Sequence, residues 1–162
     1  MTEAVQAFVG VGANQGDLRA TLCSAIEAIA IIPQTTLVCR SSLYLTAPQD
    51  ATGPDYLNAV VELRTQLEPT DLLNHLFRIE DAHGRDRPYR NAPRTLDLDL
   101  LIFGDLQMQT PVLTLPHPRM HERAFVLRPL AEIAPKLSIS GLGTVEILLT
   151  HVADQCVDKL AG

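Results

Sequence analysis

The chain has 162 residues, 46% of them hydrophobic and 20% charged, and a formal net charge of -6. That length suits one domain with a sizeable core, and the composition excludes a disordered chain. The acidic balance argues against a general nucleic-acid binder, and no apolar stretch is long enough to span a membrane.

The opening "MTEAVQAFVG" has no basic n-region and no long apolar run, so no signal peptide is expected and the expected location is the cytoplasm. Residues 4–12, "AVQAFVGVG", read as a buried strand ending in glycines. Residues 16–32 place Leu18, Leu22, Ala25, Ile26 and Ile29 at helical spacing, and Pro33 ends the run. A second strand is predicted over 35–46, a loop over 47–55 and a third strand over 56–66. Residues 68–84 predict a helix with Pro69 near its start and Gly84 at its stop. Its stripe takes in Leu73, Leu76, Phe77 and Glu80. "RDRPYRNAP" is too broken by proline and charge to be regular. "RTLDLDLLIFG" reads as a strand, and the glycine-aspartate pair at 104–105 suggests a hairpin into "LQMQ". "PHPRMHERA" is a polar loop, and "FVLRPLAEIAP" and "TVEILLTHVA" read as helical pieces. Val145, Leu148, Leu149 and Val152 form an apolar stripe expected to pack internally.

The second and third strands follow one another with no helix between them. A β-α-β, β-α-β order of this kind predicts an α+β, ferredoxin-like sandwich, a mainly antiparallel sheet with helices on one face, as a single domain over 1–162. Cys23, Cys39 and Cys156 are odd in number and far apart, and read as free thiols, not a disulfide or zinc set.

Chemistry concentrates near the middle of the chain. In a strand over 94–104, Thr95, Asp97, Asp99 and Leu101 point one way, and Leu96, Leu98, Leu100 and Ile102 point toward the core. Two carboxylates about 7 Å apart on one face repel each other unless a cation intervenes. Magnesium suits them, because it takes hard oxygen ligands and shares them with substrate phosphates. By the Asp-x-Asp pattern alone, a solvated pair facing arginines is equally open. Arg85, Arg87, Arg90 and Arg94 lie within ten residues just before it, and guanidinium forks match phosphate oxygens. Carboxylates for a metal beside arginines for phosphate form a set suited to phosphoryl transfer. There is no P-loop and no GxGxxG. Glu80 reads either as an amphipathic edge position or as a carboxylate receiving hydrogen bonds from a ligand. His117, close to Arg119 and Arg123, reads either as a surface histidine or as a phosphate contact.

The segments "VGVGANQGD", "SSLYLTAP", "PDYLNAVVEL", "RIEDAHGR", "APRTLDLDLLIFGD" and "LPHPRMHERAFVLRPLAEIAP" occur in this order. Over about residues 5–135 the chain resembles the 6-hydroxymethyl-7,8-dihydropterin pyrophosphokinases of the folate pathway. The resemblance implies a magnesium-dependent transfer of pyrophosphate from ATP to the pterin hydroxymethyl group, leaving AMP. It implies that Asp97 and Asp99 bind two magnesium ions, and that Arg85 and Arg94 grip the phosphates with help from Arg87. Glu80, Leu100, Thr114, His117 and Arg123 match the ATP site. Thr46, Tyr56, Asn58 and Phe125 match the pterin pocket, where the two aromatic rings would stack on the flat heterocycle and Asn58 would serve its edge. Read without the resemblance, Tyr56 and Phe125 are better explained by core packing, and Asn58 by a loop cap. The segments 47–55 and 85–93 are expected to be mobile when empty and to close over both substrates. A tryptophan often present in the arginine loop of this family is absent, with Asn91 about there. Phe77 replaces a glutamine known near ATP in some members. The expected partners are the two small molecules, with no nucleic acid and no membrane, and the expected state is a monomer. The competing readings are another magnesium-dependent ATP-using transferase and a non-catalytic, anion-binding ferredoxin-like module.

Overall fold

A computed structural model describes residues 3–14, 16–46, 55–84 and 96–160. The first apolar run forms β1 (Val5–Ala13). Asp17 then caps α1 (Leu18–Ala30), its carboxylate accepting from the Ala20 N–H at 3.1 Å and satisfying one of the helix's orphan donors. The predicted second strand is two pieces, β2 (Thr35–Arg40) and β3 (Tyr44–Thr46). They pair with opposite halves of β4 (Tyr56–Thr65). Next come α2 (Pro69–Gly84) and β5 (Asp97–Phe103). The described order then runs through β6 (Met108–Gln109), β7 (Thr114–Leu115), a 3-10 turn at Met120–Glu122 and α3 (Ala124–Ile133). It closes with β8 (Ser138–Ile139), β9 (Gly143–Thr144), α4 (Val145–Thr150) and β10 (Asp158–Lys159).

The main sheet runs β10-β3-β4-β1-β5, with β2 also beside β4, and its pairings among the described residues are antiparallel. This is the ferredoxin-like α+β order, with β1 between β4 and β5. Helices cover both faces, not the one face that the strand order suggested. On one face α1 and α2 bury Leu22, Ile26, Leu72 and Leu76 against Val9, Val11, Leu63 and Leu98. On the other, α3 and α4 bury Leu127, Leu130 and Val145 against Phe8, Val60 and Leu101. The cause lies in the strands: β1 turns Ala7, Val9 and Val11 to the first helix pair and Phe8 to the second, and a strand apolar on both sides requires two covers. Val145, Leu148 and Val152 face inward, so the stripe of the terminal helix packs within the chain.

Three local expectations change. The leucine alternation of β5 holds through Leu100, where the register against β1 shifts between Phe8 and Val9. Leu101 becomes the extra residue of a β-bulge, so Leu101 and Ile102 both join the α3/α4 core while Phe103 returns to the α1/α2 core. Gly104 (φ 55°) does turn the chain, but the turn closes on itself from Leu106 N–H to Phe103 O at 3.0 Å, and β6 pairs with β7, not β5. Phe77 is 41% exposed; the buried stripe of α2 is Leu72, Leu73 and Leu76.

A polar clasp ties the outer strands to α3. Glu132 Oε1 accepts from the Ser42 N–H at 2.9 Å and the Tyr44 hydroxyl at 2.7 Å. Its Oε2 accepts from Ser42 Oγ at 2.8 Å and lies 3.8 Å from Lys159 Nζ. Burial pushes the carboxyl up, but the hydrogen bonds from Tyr44 and Ser42 outweigh it and hold the pKa below the ordinary value. Burial and the same bond push the Tyr44 phenol up to about 12. Glu132→Ala should therefore lose about 2 kcal/mol, because hydrogen bonds to a charged acceptor are lost and the buried Tyr44 hydroxyl is stranded. For a chain of this size that is a Tm drop on the order of 4–8 °C. A depressed carboxyl pKa contributes stability above its unfolded value and loses it as pH falls through the folded value. Thermal melts of both proteins should thus converge in acid, and a gap that stays constant down to about pH 3 would refute the linkage.

Candidate active site

A cleft of about 580 Å³ opens on the sheet face that carries α3. Its floor follows from strand register. Asn58, Gly12 and Asp97 form one row across β4, β1 and β5, and Val60, Gly10 and Asp99 form the next. Adjacent strands lie about 4.8 Å apart, so the carboxylate strand stands about 10 Å from the Asn58 strand. The lane between them holds only glycine. Thr46, Tyr56, Arg123, Phe125 and Val126 are also part of the lining.

Asp97 and Asp99 are half-buried and line this cleft, because Leu96, Leu98 and Leu100 turn toward α1 and α2 and alternation sends the aspartates the other way. Among the described residues no cluster of three or more His, Cys, Asp or Glu side chains is placed to hold a metal. Two hard oxygen donors open to a cleft do not make a closed zinc site. They suit magnesium, which takes its remaining ligands from water and phosphate.

The expected ATP residues divide. Arg123 lines the cleft, its guanidinium 5.4 Å from the centre of the Phe125 ring. Glu80 Oε2 accepts from the Leu98 N–H at 2.8 Å, the amide between the two aspartates. Its carboxylate thus holds the strand that presents them. The His117 backbone N–H donates to Leu101 O at 2.8 Å, and the ring Nδ1 accepts from the Arg119 N–H at 3.2 Å, which leaves the ring proton on Nε2. Burial lowers the His117 pKa, opposed by Asp99 and aided by Arg123 and Arg119, so the ring is neutral at pH 7 and offers Nε2–H as a donor. Thr114 is half-buried on β7, beside β5. Leu100 is 3% exposed, and its side chain belongs to the α1/α2 core. Arg85, Arg87, Arg90, Arg94 and Thr95 lie outside the described residues, as do 47–54 of the expected substrate loop.

The four expected pterin residues come together. Asn58 is 7% exposed and donates from Nδ2 to Thr46 Oγ1 at 2.8 Å. Tyr56 and Phe125 line the same cleft. Phe125 is placed by the start of α3, which Gln155 brackets from 31 residues away: its Oε1 accepts from the Ala124 N–H at 2.9 Å and its Nε2 donates to Glu122 O at 2.9 Å. Sequence reasoning missed Gln155, Val60, Val126 and the two glycines of the floor. Only the glycines left a signal, since "VGVG" within a strand marks a close approach from one side.

The geometry can be set beside known proteins. A family model described as 7,8-dihydro-6-hydroxymethylpterin-pyrophosphokinase matches residues 8–135. A 2-amino-4-hydroxy-6-hydroxymethyldihydropteridine pyrophosphokinase of Pseudomonas aeruginosa is 40% identical over 156 residues, 96% of each chain. The protein of that name from Methylorubrum extorquens is 45% identical over 137 residues, 84% of this chain and 87% of its own. Among solved structures, Plasmodium falciparum HPPK-DHPS with pteroate superposes with a TM-score of 0.77 at 12% identity. The match covers 95% of this chain and 43% of that one, so this chain spans less than half of its length. At that identity the likeness speaks for the fold alone.

Proposed function

The chain belongs to the 7,8-dihydro-6-hydroxymethylpterin pyrophosphokinase family, and on that premise we propose that the cleft binds ATP beside Asp97 and Asp99 and the pterin beside Asn58. The enzyme transfers pyrophosphate from ATP to the 6-hydroxymethyl group of the dihydropterin in folate biosynthesis. The hydroxymethyl oxygen forms a bond to the β-phosphorus, the bond from that phosphorus to the α-phosphate oxygen breaks, AMP leaves, and the hydroxyl proton is released. There is little covalent work for the protein to do, so positioning and charge stabilisation carry the rate.

The observation that carries the site assignment is the glycine lane. It sets a pocket suited to a flat, hydrogen-bonding ring on one side and two carboxylates on the other, with no side chain between to obstruct the attacking oxygen. Tyr56 and Phe125 offer ring faces to the pterin, and Asn58 and Thr46 read its polar edge. Asp97 and Asp99 hold magnesium, two ions in our reading, which when bound neutralises phosphate charge and aligns the reacting groups. Arg123 and the His117 Nε2–H donate to phosphate oxygens. Arg85, Arg87 and Arg94 add guanidinium forks from the segment before β5. Thr114 and the backbone of Leu100, whose side chain is in the α1/α2 core, flank the nucleotide on the outer side of that strand, and Glu80 supports the site by holding the Leu98 amide. We also propose that residues 1–162 act as one domain, as a monomer and in the cytoplasm. Among the described residues no helix is long and apolar enough to cross a membrane.

The test is product identity. With ATP, magnesium and 6-hydroxymethyl-7,8-dihydropterin the protein should release AMP and the pterin diphosphate, and nothing without the pterin. ADP as the product, or AMP formed without pterin, would overturn the reading. Asn58→Ala should raise the pterin KM by about tenfold, the worth of one buried hydrogen bond or slightly more, with the ATP KM little changed.

A further inference from the structure

Gly12 sits mid-floor in the cleft, between Asn58 of β4 and Asp97 of β5. Neither backbone nor general packing explains a glycine there. Positive φ values occur at Gly16, Gly104, Gly141 and Gly143 but not at Gly12, so its conformation is open to any L-residue. A glycine inside a strand is also destabilising relative to alanine. A Cβ built on Gly12 would meet one atom too closely, Asn58 Oδ1 at 2.8 Å; the next contacts, Asn58 Cγ and Leu57 O, are at 3.9 Å. At Gly10, on the same face, the added atom would find only ordinary contact with Leu101 at 3.5 to 3.7 Å. The forbidden approach at position 12 is therefore to the end of one side chain. That end could swing aside and leave the fold intact, so the requirement for glycine falls on where the Asn58 carboxamide points.

We propose that Gly12 is a positioning residue for pterin recognition: its missing Cβ makes the space in which the Asn58 carboxamide lies with Oδ1 over β1 and Nδ2 toward Thr46. The inference rests on the assignment of Asn58 to the pterin pocket made above. The amide orientation matters because a carboxamide presents a donor on one side and an acceptor on the other, and a rotated one offers the ring edge the wrong pattern. With Nδ2 donating to Thr46 Oγ1, the threonine hydroxyl is turned so that its own proton faces away from Asn58. The missing methyl thus leaves room for the arrangement that the Asn58–Thr46 bond holds. Asp97, on the other side of Gly12, is untouched by the contact, so nucleotide binding should not follow.

Four proteins decide it: wild type, Gly12→Ala, Asn58→Ala and the double variant, each assayed for both KM values, with NMR of the Asn58 side-chain amide in the first two. Gly12→Ala should fold, shift the Asn58 amide resonances, and raise the pterin KM about tenfold with the ATP KM within about twofold. In the Asn58→Ala background it should add less than about twofold, because the atom it displaces is gone. Unshifted amide resonances, or effects that multiply in the double variant, would overturn the proposal. A pterin KM unmoved by Asn58→Ala sinks the pterin assignment itself, while the amide resonances still decide whether Gly12 positions Asn58. If Gly12→Ala fails to fold but the double variant folds, the contact is confirmed as the cause. If both fail, the glycine serves the strand and the proposal falls.

Discussion

Asp99→Asn should reduce turnover by on the order of a thousandfold while the protein stays folded, and Asp97→Asn should do the same. The magnitude follows from what the carboxylates do in this reading. A bound cation at a phosphoryl group is worth several kcal/mol of charge stabilisation, and each 1.36 kcal/mol is tenfold in rate. Asparagine keeps the shape and one oxygen but removes the charge that a strongly hydrated dication demands. Both side chains are half-buried and face the cleft, not the core, so thermal melts of the Asp99 variant should stay within a few degrees of wild type. The paired measurement is ATP affinity with and without magnesium. In the wild type magnesium should tighten ATP binding; in either variant that tightening should largely vanish. Full activity in Asp99→Asn, or magnesium dependence that survives in both variants, would show that the pair answers arginines on a solvated face and holds no metal.

How far the sequence reached depends on whether a feature was local. β1, α1, β4 and α2 came out within a few residues of their predicted bounds, because an alternating or helical apolar pattern is complete within each segment. The aspartate face of β5 was legible for the same reason, since period-two alternation needs no partner. What failed was non-local. The bulge that sends Ile102 to the α3/α4 core is a property of two strands meeting at Phe8 and Val9, and neither strand carries it alone. The second helical cover was missed because it needs α3 and α4, read only as pieces, to be assigned to a face. Glu80 was suspected from its place on an apolar stripe, but its partner, the Leu98 amide, is 18 residues away and invisible to any pattern. Gln155 is the extreme case, a polar residue near the end of the chain whose two bonds to the start of α3 leave no trace in its neighbours.

Glu80→Ala should lower kcat/KM by about 10–100-fold, with part of the loss recovered at raised magnesium. The sheet order ends on β5, so an amide of this strand that points outward has no neighbouring strand to receive it. Leu98 N–H is such an amide, and Glu80 Oε2 receives it at 2.8 Å from α2. The peptide so held lies between Asp97 and Asp99, and fixing it fixes the spacing of both carboxylates. Its acceptor is itself charged, which roughly doubles the strength of an ordinary amide bond. A group that orients metal ligands should, when lost, weaken metal affinity more than substrate affinity. Glu80→Gln is the sharper probe, because a carboxamide oxygen can still accept from Leu98 and should keep more of the activity than alanine. Three outcomes separate the possible roles. A loss that raised magnesium partly restores, and that glutamine partly rescues, marks a residue acting through the aspartates. A rise in the ATP KM with unchanged magnesium dependence marks direct contact with the nucleotide. A lower Tm with normal kinetics at low temperature would mean that Glu80 only pins α2 to the edge of the sheet.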